Sequence, residues 1–188
     1  ELQKQVVGLA EEVTLLDGSR TRYINFDNAA STPTLQPVQD KVNEFCKWYS
    51  NVHRGTGFKS QLSSWVFDEA RNMIARFVGA EASSAVIFTK NTTEAINRLA
   101  WRFQCPVIDR LGKNAEKPII ITSLMEHHSN ELPWRKVGKV VHVDIKPDGS
   151  LNSADLYEKL NKYKGKICLL AISGASNVTG YINPIHEY

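Results

Sequence analysis

The sequence predicts an α/β domain with a mainly parallel β-sheet. Short apolar runs, typical of buried strands, alternate with segments whose apolar residues recur at helical spacing, and this alternation continues from residue 85 to residue 173. The 188 residues are 42% hydrophobic and 23% charged, which is typical of a globular protein with a sizeable core. A chain of this length forms one ordinary domain or part of a larger one.

The elements before residue 80 are mostly helical. A polar and weakly helical start precedes a turn at 17–18 and a short strand over 23–26. The segment "VQDKVNEFCKWYS" has the apolar spacing of an amphipathic helix. A glycine-broken loop, "NVHRGTGFKS", joins it to a second helix, "SQLSSWVFDEARNMIARFVGA", which we expect to end at Gly79.

The alternating part supplies the sheet. Its predicted strands cover 85–89, 118–123, 140–145 and 166–173, and its predicted helices cover 93–103, 129–137 and 153–162. Strands joined through helices run parallel, so their carboxyl ends meet at one edge of the sheet. Ligands of such sheets bind at that edge.

Polar side chains follow three of the predicted strands, in the segments "NTTE", "LMEHHSN" and "GASNVTG". Thr92 and Thr93 open a helix, where N–H groups and the positive helix end can bind a phosphate, but where a hydroxyl can also serve only as a cap. A His pair at 127–128 and the residues Asn177 and Gly180 suit ordinary turns as well. The residues alone leave a ligand site and simple turn chemistry both open.

The composition argues against several partners. The net charge is only +3, and no basic tract is interleaved with aromatic residues, so nucleic-acid binding is not indicated. The first residues lack the features of a signal peptide, and no apolar run approaches the roughly 20 residues that span a bilayer. We therefore expect a cytoplasmic protein without a membrane partner.

The cysteines and histidines do not indicate a metal site. The three cysteines are far apart and lack a CxxC pattern, so we expect reduced structural thiols: Cys46, Cys105 and Cys168. His127 and His128 are adjacent and point apart, which makes a poor zinc pair. The sequence also lacks GxGxxG, GxxxxGK[ST], HExxH and GxSxG, the motifs of dinucleotide, nucleotide, zinc-protease and serine-hydrolase sites.

Six ordered segments resemble a known family: "FDNAAST", "NVHRG", "VIFTKNTTEAIN", "MEHHSNELPW", "DGSL" and "SNVTGYINP". Over residues 23–188 they are similar to the N-terminal half of class V, fold-type-I pyridoxal-phosphate (PLP) enzymes, in the cysteine desulfurase and selenocysteine lyase branch. The resemblance implies that residues 31–188 form an incomplete PLP-binding large domain. It also implies that residues 1–30 belong to the small domain.

The resemblance implies roles for four residues near the cofactor. Thr92 and Thr93 are expected to bind its phosphate at the helix N-terminus, which the physics of that position allows. His127 is expected to stack on the pyridine ring and to act as the catalytic residue that assists proton transfer. Asn177 is expected to donate a hydrogen bond near the ring oxygen and to bind the substrate carboxylate.

Substrate contacts are implied for residues earlier in the chain. Ala30, with Ala29, is expected to bring backbone close to the substrate, and His53 and Arg54 to reach the mouth of the site near a partner subunit. The implied reaction converts L-cysteine to L-alanine and enzyme-bound sulfur, in a homodimer that passes sulfur to an acceptor protein.

The sequence departs from the family pattern in two places. Desulfurases commonly carry a second histidine soon after "HRG", where this chain has Gly57, and Asn91 replaces a more usual glycine before the threonines. A class V aminotransferase, an epimerase-like enzyme or a non-catalytic binding domain therefore stays open as an alternative.

No lysine of this chain lies in a motif that matches the Schiff-base lysine of the family. We therefore expect an inactive fragment of a longer enzyme. Its exposed strand edge and uncovered apolar face predict poor solubility or self-association.

Overall fold

The computed structural model describes residues 2–82, 84–111 and 117–188, and for residues 104–111 it describes the backbone alone. The side chain of Cys105 lies outside this described part. The chain divides into two compact units, Glu1–Phe88 and Thr89–Tyr188. The small-domain role of residues 1–30 stays a prediction.

The first unit contains a short hairpin and two helices. A 3-10 helix, Leu2–Gln5, precedes the antiparallel strands β1 (Glu12–Thr14) and β2 (Arg20–Arg22), and helices α1 (Gln36–Cys46) and α2 (Phe58–Phe77) follow. Both predicted helices are confirmed. Gly79 follows α2 with a φ of 65°, the left-handed conformation that ends many helices.

The strand predicted at 23–26 is wrong, because β2 ends at Arg22. Directly after β2, side-chain oxygens accept hydrogen bonds from backbone N–H groups that a strand would use for pairing. Asn25 Oδ1 accepts the N–H of Asp27 at 2.8 Å, and Asp27 Oδ1 accepts the N–H of Ala30 at 3.2 Å. These local bonds form turns that compete with a strand ladder.

The second unit contains the parallel sheet. Its elements are α3 (Thr92–Leu111), β3 (Ile119–Ser123), β4 (Lys139–Val143), α4 (Ser153–Lys162) and β5 (Ile167–Ala171). The strand order is β4-β3-β5, and both pairings are parallel. Three of the four predicted sheet strands and the helices predicted at 93–103 and 153–162 are confirmed, as is the parallel α/β class.

The core surrounds the central strand β3, whose five residues are all buried. On one face Ile121 packs with Val143 and Leu156, and on the other Ile120 packs with Trp134. Helix α4 therefore covers one face, while Ala100 of α3 joins the opposite cluster. This packing fixes the carboxyl ends of the strands relative to one another.

Gly138 begins the pairing of β4 with β3. A Cβ at this position would lie 2.3 Å from the carbonyl oxygen of Pro118, a distance that no side chain tolerates. The same carbonyl accepts the N–H of Lys139 at 2.8 Å. Glycine is needed here because two backbones approach closely.

Two further predictions are wrong. Residues 85–89 form no strand, and the carbonyl of Val86 accepts a hydrogen bond from Arg71 Nε at 2.8 Å. The helix predicted at 129–137 is two 3-10 helices, His128–Asn130 and Leu132–Lys136. Pro133 lacks the N–H that a continuous α-helix needs there.

Candidate active site

A carboxylate holds the loops after β3 and β5 together. Glu126 Oε1 accepts from Ser123 Oγ at 2.6 Å and from the N–H of Ser173 at 2.9 Å. Its Oε2 accepts from Asn130 Nδ2 at 2.7 Å and from Ser173 Oγ. Glu126 was not among the site residues predicted from the sequence. One feature of the sequence could have identified it. Glu126 follows β3 close to Ser123, and Ser173 follows β5, the strand that pairs with β3.

His127 lies at the end of this clamped loop. Its Nδ1 accepts the N–H of Ser129 at 3.1 Å and lies 2.8 Å from Ser129 Oγ. Because a backbone N–H can only donate, Nδ1 is unprotonated and the neutral ring carries its proton on Nε2. Ser129 is buried, so the bond fixes both the ring orientation and the tautomer.

Asn177 occupies a tight turn after β5. The buried Ser176 accepts the N–H groups of Val178 and Thr179 at its Oγ, both at 3.2 Å, and its carbonyl accepts the N–H of Gly180 at 3.0 Å. Gly180 has a φ of 70°. Asn177 is exposed, and its side chain has no hydrogen-bond partner in the part of the chain that the structure describes.

The start of α3 is capped by Asn91, not by either threonine. Asn91 Oδ1 accepts the N–H of Glu94 at 2.9 Å, and Glu94 Oε2 accepts the N–H of Lys90 at 2.9 Å. Within the described residues, the N–H and hydroxyl groups of Thr92 and Thr93 have no acceptor. Capping is therefore not the role of the threonines, and four donors stay available at the positive end of the helix.

Two pockets meet at the histidine pair. A pocket of about 420 Å³ is lined by His127, His128 and Asn177, together with Gly149 and Thr179. A second pocket of about 280 Å³ is lined by the same histidines together with Thr93 and Asn97. The structure thus brings Thr93, His127 and Asn177 to one edge of the sheet, and Thr92 adjoins Thr93.

The other predicted site residues lie in the first unit. Ala30 belongs to the turn network that follows β2, and His53 and Arg54 lie in the loop between α1 and α2. Their roles toward a substrate stay predictions. Among the side chains that the structure describes, no three His, Cys, Asp or Glu residues are placed so that they could hold a metal ion. No described helix combines the length and apolarity needed to cross a bilayer.

Glu131 lies directly after the segment that carries His127 and His128, and its carboxylate contacts two neighbouring side chains. Arg135 donates to its Oε1 at 2.9 Å, and His142 Nε2 lies 3.0 Å from the same oxygen. Burial raises the pKa of this carboxyl, but the hydrogen bonds from Arg135 and His142 outweigh burial and hold the pKa below its usual value. The ionised form is therefore the one that stabilises the fold.

Glu131→Gln is expected to lower the stability of the full-length protein by about 1–2 kcal/mol near neutral pH. A carboxyl whose folded pKa is depressed stabilises the fold above the unfolded pKa, and that contribution is lost as the pH falls through the folded pKa. The difference in melting temperature between wild type and variant should therefore shrink below about pH 4.5. Glu158→Gln, at an exposed position of α4, is the control, and a difference that persists in acid would contradict the assignment.

The sequence profile of the family described as Aminotransferase class-V matches residues 24–188. The chain belongs to the class-V aminotransferase family. A probable cysteine desulfurase of Halalkalibacterium halodurans is 36% identical over all of this chain and 44% of its own length. A probable cysteine desulfurase of Pyrococcus abyssi is 34% identical over 87% of this chain and 39% of its own.

Solved structures agree in fold. The cysteine desulfurase CsdA (S-sulfonic acid) from Escherichia coli matches with a TM-score of 0.65 and 29% identity, over 84% of this chain and 39% of its own. DndA from Streptomyces lividans matches with a TM-score of 0.64 and 25% identity, over 88% of this chain and 44% of its own. The predicted class-V family and the fold class are confirmed, and these comparisons support the predicted cysteine desulfurase branch. The chain spans about two fifths of the length of these relatives.

The class-V family implies PLP as the cofactor, and the residues present fit it. A phosphate needs several hydrogen-bond donors, which the free N–H and hydroxyl groups of Thr92 and Thr93 provide. A pyridine ring needs a flat partner, and His127 stands between the pocket lined by Thr93 and the pocket lined by Asn177. The donor set and the two adjoining pockets therefore suit a phosphorylated aromatic ligand.

Proposed function

We propose that this chain is the cofactor-binding part of a longer PLP-dependent cysteine desulfurase, which converts L-cysteine to L-alanine and enzyme-bound sulfur. The single observation that carries the proposal is the position of His127 between two pockets, one lined by Thr93 and the other by Asn177. Relatives that are named cysteine desulfurases support the choice of reaction within the family.

PLP, when bound, supplies an electron sink for the α-carbon of an amino acid. Thr92 and Thr93 would bind the phosphate with the four donors at the start of α3. His127 would stack against the ring, and its Nε2 would hold or transfer a proton while Ser129 keeps Nδ1 as an acceptor. Asn177 would bind the ring oxygen and the substrate carboxylate from its rigid turn.

The same proposal covers the substrate contacts, the Schiff-base lysine and the protein partners. Ala30, His53 and Arg54 would contact a small amino-acid substrate, and the Schiff-base lysine would come from a part of the enzyme outside this chain. We propose a cytoplasmic homodimer with a sulfur-acceptor protein as its partner. The first unit exposes large apolar side chains, among them Phe26, Phe58 and Trp65, which supports further protein contacts on that unit.

The full-length protein, incubated with PLP and L-cysteine, is expected to release alanine and, with a reductant, sulfide in equal amounts. Amino-acid analysis and a sulfide assay measure both products. Pyruvate-type keto acids without sulfide would favour the aminotransferase alternative, and racemised substrate would favour the epimerase alternative. Absence of cofactor absorbance would leave only a binding domain.

The double replacement Thr92→Val and Thr93→Val, made in the full-length protein, tests whether these threonines bind the cofactor phosphate. It removes two hydroxyl donors and leaves the backbone of α3 unchanged, so we expect PLP affinity to fall roughly 10- to 100-fold. Dialysis against limiting PLP and the cofactor absorbance measure this change. The matched control is Thr21→Val, an exposed threonine of β2, which should retain PLP as the wild type does.

A further inference from the structure

Serine side chains of α2 hold the loop that follows α1. The N–H of Ser50 donates to Ser63 Oγ at 2.9 Å, and Ser60 Oγ donates to the carbonyl of Asn51 at 2.8 Å. Ser60 and Ser63 are both buried. Because hydroxyl groups of a rigid helix satisfy the loop backbone, the loop has a defined conformation.

His53, in the middle of this loop, has a strained backbone. Its φ is 53°, and among the described residues it is the only one other than glycine with a positive φ. The N–H of His53 donates to Ser64 Oγ at 2.8 Å, which helps to hold this conformation. Such strain persists only where the surrounding structure enforces it, and it concentrates at functional sites.

The imidazole of His53 is held on two sides. Its Nε2 lies 3.1 Å from Asp68 Oδ2, and its ring packs edge-on against Phe67 with centroids 5.9 Å apart. Phe67 in turn packs edge-on against Phe88 and beneath the guanidinium of Arg71. The ring orientation therefore depends on a carboxylate and on a braced aromatic side chain.

The carboxylate also selects the tautomer. Ionised Asp68 can only accept a hydrogen bond, so Nε2 of His53 carries the proton and Nδ1 of the neutral ring is an acceptor. Nδ1 has no partner in the part of the chain that the structure describes, and the side chain of His53 is 54% exposed. His53 thus has an oriented and unused acceptor atom.

We propose that Asp68 is a positioning residue that fixes His53 so that its Nδ1 accepts a hydrogen bond from the amino-acid substrate. The donor is the ammonium group or the thiol of that substrate. The inference rests on the proposed function, since His53 is one of the residues proposed to contact the substrate. Asp68 itself acts only through His53.

Kinetics of the full-length protein test this role. In Asp68→Ala and Asp68→Asn, KM for L-cysteine is expected to rise about 10-fold while kcat changes less than about 3-fold, because an interaction made with bound substrate is lost. Asp68→Glu, which restores the carboxylate, should recover most of the affinity. Glu69→Gln, the neighbouring carboxylate that contacts Asn72 instead, should match the wild type.

The product alanine identifies the donor. If Asp68→Ala weakens inhibition by alanine as much as it raises KM for cysteine, the ammonium group is the donor, and if only cysteine is affected, the thiol is. An unchanged KM in both Asp68→Ala and Asp68→Asn, with full cofactor content and an unchanged melting temperature, would overturn the proposal.

A measurement without turnover separates this inference from the proposed function. In full-length protein with ¹⁵N- and ¹³C-labelled histidine, the NMR signals of His53, assigned by their loss in His53→Gln, should report the Nε2–H tautomer. Asp68→Ala should shift them toward a mixture of tautomers. An Nδ1–H tautomer in the wild type would refute the role of Asp68 even in an active desulfurase, whereas an inactive protein with the expected tautomer would refute only the proposed function.

Discussion

Replacement of His127 by alanine is expected to lower kcat/KM of the full-length protein for L-cysteine by about 100- to 10,000-fold, the range lost with a positioned acid or base. Two structural features lead to this expectation. His127 lines both pockets at the strand ends, and its Nδ1 is held by the buried Ser129, which leaves Nε2 with the movable proton.

The measurement is the initial rate of alanine formation at saturating PLP. His186→Gln changes an exposed histidine that makes no hydrogen bond or ion pair within the described residues; it is the control and should retain the wild-type rate. Ser129→Ala should produce a smaller loss than His127→Ala, because the ring remains but its tautomer is no longer fixed. A His127→Ala variant that keeps more than about a tenth of the wild-type rate would contradict a role in proton transfer.

Glu126→Ala is expected to destabilise the full-length protein by about 3 kcal/mol and to reduce activity with it. The carboxylate accepts four hydrogen bonds, and their loss leaves donors of Ser123, Asn130 and Ser173 without partners in a half-buried position. It also releases the loop of His127 from the loop of Asn177, so PLP affinity should fall together with the melting temperature.

Denaturant titration and PLP binding measure the two effects. Glu158→Ala removes an exposed carboxylate of α4 and should leave both values unchanged. Glu126→Gln should be intermediate, because the amide keeps one acceptor oxygen but loses the charge. If Glu126→Ala lowered stability without affecting PLP binding, Glu126 would be a structural residue that does not position the site.

Local pattern explains most of the correct predictions. Continuous apolar runs at 119–121 and 167–171 correspond to the strands β3 and β5, and the apolar spacing in 153–162 matched α4. The two wrong strands share a physical cause, because side chains bind the backbone there: Arg71 donates to the carbonyl of Val86, and Asn25 accepts the N–H of Asp27. The wrong helix has a different cause, the missing N–H of Pro133. The pattern of apolar residues along the chain does not show where a side chain will hydrogen-bond to the backbone in place of a neighbouring strand.

The sequence alone determined the parallel α/β class, the family and the set of polar residues that follow the strands. The fold class and the polar residues can be read from neighbouring residues in the chain, and the family can be read from the order of the sequence motifs. Only the tertiary structure decided which of these side chains contact one another. Glu126 reaches Ser173, 47 positions away, and Asp68 reaches His53, 15 positions away. Such contacts exist only once packing has set the distances between elements, so no local pattern encodes them.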